Sequence, residues 1–401
     1  MTHNSEQATI EARIDWDCND CRHRQRQHFA NINFWRDIFP GSLSRTLPAS
    51  DGEWVNEEFA AGALVEPYSE SNIHRVRRTA LKLQRKHGPP VEIVAGRSYP
   101  RYLAAGVAGI NKGNVQPMHI LAMDADFVHI DLNHPLARIP LTVAARIRER
   151  TGIASEHGGR CNDIVQDMLA TGMGLQGPQE NAATAFFSGV PFARMDARDD
   201  NLFYASARLV QHLDTTALTQ IKAIYAGFLQ PGMQVLDLMS SWDSHLPDAL
   251  EGLSVTGLGM NAEELAHNPQ LAEAVVHDLN MHPRLPFDDN RFDAVICTAS
   301  VEYLVEPVAV MREIGRVLKP GALAIMTFSD RWFPTKAIQL WTELHPYERM
   351  GLVLEYFRQA GNFSGLGTET RRGLPRPADD KYAGQLALSD PVFAVWGQCC
   401  A

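Results

Sequence analysis

From about residue 230 onward, apolar positions fall in short blocks separated by stretches whose apolar residues recur three or four apart. The blocks 234–238, 254–257, 274–277, 292–298 and 322–328 predict strands. Between them, VAVMREIGRVL (308–318) predicts an amphipathic helix, ended by Lys319-Pro320-Gly321. Upstream, 215–229 carries Leu218, Ile221, Ile224, Tyr225 and Phe228 on one face and stops before Pro231-Gly232. That helix is expected to pack on the sheet. Two more helices are predicted over 335–343 and 346–360, then an antiparallel hairpin from FSGLGTET and PVFAVWGQ. Strand–helix alternation closing on a reversed strand predicts a doubly wound α/β sheet.

The first half of the chain has a different rhythm. WVNEEF predicts a short strand, 115–123 and 127–130 a hairpin around Asp124-Ala125-Asp126, and 139–148 a long strand. A helix-like stretch follows at 161–170. The expected organisation is an N-terminal arm (1–52), a β-rich domain (53–150), a connecting segment (151–200) and the α/β domain (201–401). A basic run, from His74, Arg75, Arg77 and Arg78 to Lys82, Arg85 and Lys86, is read as a solvated face.

Charge and cysteines narrow the partners. A net charge of −10 over 401 residues disfavours wholesale nucleic-acid binding. No apolar run is long enough for a bilayer, and the first residues lack the apolar core of a secretion signal, so a cytoplasmic protein without a membrane partner is expected. Of six cysteines, Cys297 lies inside a predicted strand and reads as a core residue. Cys18 and Cys21, with His23 and His28 nearby, have a spacing found in zinc sites. A second complete ligand pair is missing, and no metal is expected.

Two resemblances refine this picture. FVHIDLNHPLARIPLTVAARIRE is similar to the closing strands of FKBP-type prolyl isomerases of the bacterial chaperone branch, where an Asn-His-Pro-Leu-Ala turn precedes the last strand. EEFAAGALVEPYSESNIHRV resembles the segment leading into that family's inserted flap domain. The family's aromatic and aspartate lining of the prolyl pocket has no counterpart in residues 1–52, so the resemblance implies a peptide-recognition module without full isomerase activity.

The second resemblance covers about 200–398 and is carried by four pieces in order: VLDLMSSW, VTGLGMNAEEL, HDLN followed by LPFDDNRFDAV, and EIGRVLKPGALAIMTF. These are similar to the motifs of class I S-adenosylmethionine-dependent methyltransferases. The resemblance implies a Rossmann-like seven-stranded sheet, S-adenosyl-L-methionine as cofactor, and a small-molecule or polypeptide methyl acceptor. Asp237, Met239, Ser240 and Ser241 then stand at the amino-acid end of the donor, with serines where Gly-x-Gly is usual. Asp237 either reaches the donor's ammonium or caps a helix expected to open after this turn. The second strand usually ends in a carboxylate for the ribose diol; here that position is Gly259, with Met260 against the adenine and Asn261 the first candidate for the ribose. Asp278, Leu279 and Asn280 are expected around the adenine, Thr298 and Ser300 at the methionine end. Tyr303, Tyr204 and His245 are the candidate catalytic residues, with His212, Arg331 and Trp332 as further candidates for the acceptor pocket. A dinucleotide-binding reading fails because the Gly-x-Gly-x-x-Gly fingerprint is missing. The alternative from another class is a peptide-binding, chaperone-like module with prolyl isomerase activity, on a degenerate methyltransferase scaffold.

Overall fold

The computed structural model describes residues 6–18, 20–84, 90–107, 109–153, 159–177 and 184–400. Arg85 and Lys86 of the basic run lie outside them. The chain divides into two compact units. The first comprises Met1–Cys18, Phe29–Gly189 and Leu344–Gly351; the second comprises Asn19–His28, Val190–Glu343 and Leu352–Ala401.

The stretch expected as a polar arm instead forms two long strands, β1 (Glu6–Cys18) and β2 (Cys21–Asn33). The reason is a period of two: Ala8, Ile10, Ala12, Ile14 and Trp16 are buried while their neighbours are more exposed. After the short helix α1 (Leu43–Thr46) come β3 (Val55–Phe59), β4 (Ile73–Arg77), β5 (Ser98–Pro100), β6 (Pro117–Met123), β7 (Phe127–Asp131), β8 (Leu141–Ile153) and helix α2 (Ile164–Leu169). In the first unit, β1 and β3 both pair antiparallel with β8. A separate sheet, in the order β4-β7-β6-β5, has its own core of Val76, Leu103, Met118, Ile120, Val128 and Ile130.

That second sheet is an insertion. Phe59, at the end of β3, pairs with Leu141, at the start of β8, so the chain leaves and returns at one point of the ladder. Asn133 of the NHPLA turn laces the crossing: its Oδ1 accepts from Ser69 N (2.9 Å) and its Nδ2 donates to Ser69 O (2.9 Å) and Asp131 Oδ1 (2.8 Å).

The remaining elements follow in chain order and belong to the second unit, except that the helix over 346–360 has its first residues, up to Gly351, in the first unit. They are α3 (Asp200–Tyr204), α4 (Thr215–Tyr225), β9 (Gln234–Leu238), β10 (Ser254–Gly259), α5 (Ala262–Ala266), β11 (Glu273–Val276), β12 (Phe292–Thr298), α6 (Pro307–Val317), β13 (Leu318–Phe328), α7 (Gln339–Glu343), α8 (Pro346–Ala360), β14 (Phe363–Arg372) and β15 (Val392–Cys399). The sheet order is β11-β10-β9-β12-β13-β15-β14, parallel from β11 to β13 and reversed at β15. These are the seven strands expected. The N-terminal half of β2 adds an eighth, parallel to β14 with Leu366 opposite Cys21 and Arg372 opposite Gln27. Helix α4 packs Leu218, Ile221, Ile224 and Tyr225 onto Val235, Val255, Ile296 and Ile325 of the sheet. Cys297 is a fully buried core residue.

Candidate functional site

In a parallel sheet the C-terminal strand ends all lie at one edge, and the loops leaving them converge there. In the second unit the loops after β9, β10, β11 and β12 line one cleft, together with the segment from Asp200 to Leu218.

After β9 the chain turns sharply. Met239 takes a left-handed backbone conformation, φ +55°, which costs a non-glycine residue about 1 kcal/mol. The serines beside it carry no such strain, so the left-handed residue of this turn is Met239. Ser240 N donates to Leu258 O (2.8 Å), and its hydroxyl donates to Asp237 Oδ2 (2.5 Å). Burial drives the Asp237 pKa up to about 6, against hydrogen bonds from Ser240 and Ser244 that favour the charged form. Asp237 therefore anchors its own turn as well as facing the cleft.

The loop after β10 is set by Asn261, which caps α5: its Oδ1 accepts from Glu263 N (2.9 Å) and Glu264 N (3.0 Å). Its Nδ2 donates to Tyr204 O (2.8 Å) and Ala205 O (3.4 Å). Every donor and acceptor of that amide is engaged. Met260 lines the cleft beside it, whereas Gly259 does not.

After β11, Asp278 Oδ1 accepts from Asn280 N (2.9 Å) and Met281 N (3.2 Å). Its Oδ2 is buried and has no hydrogen-bond partner among the described residues. Leu279 is buried against the cleft. Asn280 is structural as well as lining: it donates to Asp200 Oδ2 (2.9 Å) and Tyr303 O (3.0 Å) and accepts from Val305 N (3.0 Å). After β12, Thr298 Oγ1 meets the Tyr225 hydroxyl at 2.6 Å, and Ser300 Oγ donates to Thr298 O (2.9 Å).

The other wall is aromatic. Phe333 stacks near Tyr303 (5.9 Å between centroids) and meets Phe203 and His212 edge-on at 5.3 and 5.1 Å. The guanidinium of Arg208 lies 4.5 Å from the Phe203 centroid. Tyr303 OH accepts from Phe333 N (2.9 Å). Burial raises the pKa of both Tyr303 and Tyr204 above the ordinary phenol value, so both remain protonated at neutral pH. His245, in a left-handed conformation (φ +52°), places Nδ1 3.1 Å from Asp243 Oδ2. Burial alone would raise Asp243; the His245 contact and the amide of Gln211 (2.7 Å) outweigh it and hold the carboxyl below its ordinary value.

All three candidate catalytic residues and eleven of the twelve candidate donor contacts therefore border one cleft; the exception is Gly259. Arg331 and Trp332 lie elsewhere, along a second groove, where Arg331 pairs with Asp390 at 2.9 Å. The motif reading overlooked Asp200, Arg208, Asp243, Phe333 and Glu264. For Glu264 a signal existed: Asn261-Ala-Glu-Glu264 has the spacing of a capping box, which draws a carboxylate back toward the strand end. Among the described residues, no group of three or more His, Cys, Asp or Glu side chains converges in a way that could hold a metal.

Residues 244–326 match the profile of a methyltransferase domain family. The matched methyltransferase-domain stretch lies within unit two. The donor used by class I methyltransferases is S-adenosylmethionine. Among curated relatives, the chain is 31% identical over 123 residues to cycloartenol-C-24-methyltransferase 1 of Oryza sativa subsp. japonica, which is 27% of this chain and 35% of that protein. It is 34% identical over 122 residues to demethylmenaquinone methyltransferase of Corynebacterium urealyticum, 26% of this chain and 46% of that protein. The chain thus spans less than half the length of either relative. A methyltransferase from Haloferax volcanii, solved in complex with its Trm112 activator, overlays 46% of this chain and 91% of its own at 19% identity and a TM-score of 0.36. No helix among the described residues is long and apolar enough to cross a membrane.

Proposed function

We propose that the chain is an S-adenosylmethionine-dependent methyltransferase. The observation that carries this reading is a pair of carboxylates bordering the cleft: Asp237, buried on β9, and Asp278, half-buried after β11 with its Oδ2 atom buried. Asp278 holds an acceptor without a partner among the described residues, which suits the adenine amino group, and Asp237 suits the donor's ammonium. Met260 and Leu279 add apolar wall to the same cleft. When bound, the donor supplies an electrophilic methyl group to an in-line displacement.

The chain's own residues divide the remaining work. Tyr303, buried, and Tyr204, half-buried, are both protonated and donate hydrogen bonds or pack rather than remove protons. His245, oriented by Asp243, is the group in the cleft suited to take a proton from an acceptor. Phe333 and His212 meet edge-on and form an aromatic wall of the same cleft. The acceptor is a small molecule or a polypeptide side chain. Calorimetry with S-adenosylmethionine and S-adenosylhomocysteine tests the reading; a folded protein that binds neither overturns it.

For the first unit we propose a recognition module of the FKBP-like type without full isomerase activity. The insertion between the paired residues Phe59 and Leu141, and the NHPLA turn leading into β8, support it. A proline-isomerisation assay on the full chain is expected to show no more than the spontaneous rate. Clear acceleration would favour the isomerase alternative.

A further inference from the structure

The donor's ribose diol normally meets a carboxylate at the end of the second strand, and here that position is Gly259. The structure excludes a side chain there: a Cβ on Gly259 would lie 2.2 Å from the carbonyl oxygen of Ser240 and 3.2 Å from its carbon. The next candidate, Asn261, has its amide fully engaged in capping α5 and holding Tyr204 O. The diol contact must come from another group bordering the same strand end.

We propose that Glu264 is the diol-binding residue, reached from the first turn of α5 instead of the strand itself. This rests on the methyltransferase reading above. Three observations converge on it. First, the strands stand in the order β11-β10-β9-β12. A ligand with its adenine at Asp278, after β11, and its ammonium at Asp237, on β9, therefore lays its ribose over the end of β10. Second, among the described cleft residues contributed by β10 and the loop and helix that follow it, Glu264 is the carboxylate. Third, that carboxylate is buried and held at both oxygens. Oε1 accepts from Arg208 N (2.7 Å) and Oε2 from Ser241 Oγ (2.7 Å).

An ionised carboxylate has about four lone-pair sites. The two hydrogen bonds leave one on each oxygen, which matches the two hydroxyls of a vicinal diol. The anchoring also fixes the carboxylate before the ligand arrives, so little side-chain entropy is lost on binding. Asn261 positions the group: capping α5 at Glu263 N and Glu264 N sets where the first helical turn points its side chain.

The test is a calorimetric cycle using S-adenosylhomocysteine and its 2′,3′-dideoxy analogue, on wild type, Glu264→Ala and Glu264→Gln. Thermal unfolding establishes that each variant is folded, and the Gln variant carries the test if the Ala variant is not. Wild type is expected to prefer the diol-bearing ligand by about 10- to 100-fold, the range for hydrogen bonds to a charged group. Both variants are expected to bind the two ligands within about threefold of each other, because the cycle removes everything except the diol contact. Variants that keep the wild-type ratio, or a wild type with no preference, overturn the assignment to Glu264 and leave the methyltransferase reading standing. A wild type that binds neither ligand removes that reading and the assignment with it.

Discussion

Ser240 donates its hydroxyl to Asp237 across 2.5 Å, inside a turn where a glycine-rich loop would have no side chain to offer. The pair binds the carboxylate to its own loop while burial lifts its pKa to about 6. A group lifted this way is neutral below that pH and charged above it. The folded protein then holds a proton that the unfolded chain releases from about 3.8 upward, so the contribution to stability falls as pH rises through 6.

Ligand binding should run the other way. An ammonium is attracted only by the ionised form, so affinity for S-adenosylhomocysteine is expected to rise about tenfold between about pH 5 and pH 7 and then level off. Asp237→Asn should bind more weakly and lose most of that slope. Calorimetric titrations across this range check both, and a wild-type affinity that is flat through pH 6 would separate Asp237 from the ammonium.

Gly259 offers a second test, because restoring the carboxylate at this position should harm the protein. The Ser240 carbonyl occupies the space a Cβ needs. Gly259→Ala and Gly259→Asp are both expected to destabilise by about 2 kcal/mol or more, through overpacking against backbone that cannot yield. Neither should tighten donor binding. Denaturant unfolding with each variant is the measurement; an Asp variant of wild-type stability would show that the turn relaxes.

Asn261 performs two separable jobs. Asn261→Ala loses the cap of α5, worth about 1 kcal/mol, and the contacts to Tyr204 O and Ala205 O. Asn261→Ser keeps a capping oxygen and loses only the second set. The Ser variant should therefore fall between wild type and Ala in thermal stability. If Ser and Ala are equally destabilised, the hold on Tyr204 is the dominant role.

In the first unit, Glu348 gives a pH signature of its own. Burial lifts its pKa from 4.5 to about 7, against hydrogen bonds from Ser98 N (2.8 Å) and His345 N (3.2 Å). A raised carboxyl stabilises the fold below its unfolded value, and that contribution is lost as pH rises through 7. Glu348→Gln cannot ionise. Relative to wild type, its stability should move in its favour by about 2–3 kcal/mol between about pH 5 and pH 8. Equal pH dependence of the two melting curves would mean that Glu348 stays charged in the fold.

The α/β domain was legible from one dimension because its signals are local. Buried parallel strands read as apolar blocks, Pro231-Gly232 and Lys319-Pro320-Gly321 mark ends, and the motif order locates the strand termini where the cleft forms. The N-terminal strands were less legible although their alternation is present. Short side chains at Ala8 and Ala12, and polar residues throughout β2, dilute the hydrophobic contrast that marks a strand.

The sequence alone determined the fold class of the second unit, its strand sequence and which loops meet. Spacing and side-chain type suffice for these, since strand length, helix period and turn chemistry depend on near neighbours. Tertiary structure alone decided how each polar group is spent. Asn261 looks free in sequence and is fully engaged in space; Glu264 looks like a surface residue of a short helix and is buried in the cleft. Only tertiary packing sets Ser240 O against Gly259 and leaves Asp278 Oδ2 buried and, among the described residues, without a partner. Hydrogen-bond partners and burial depend on residues distant in the chain, so they exist only once the strands have been brought side by side.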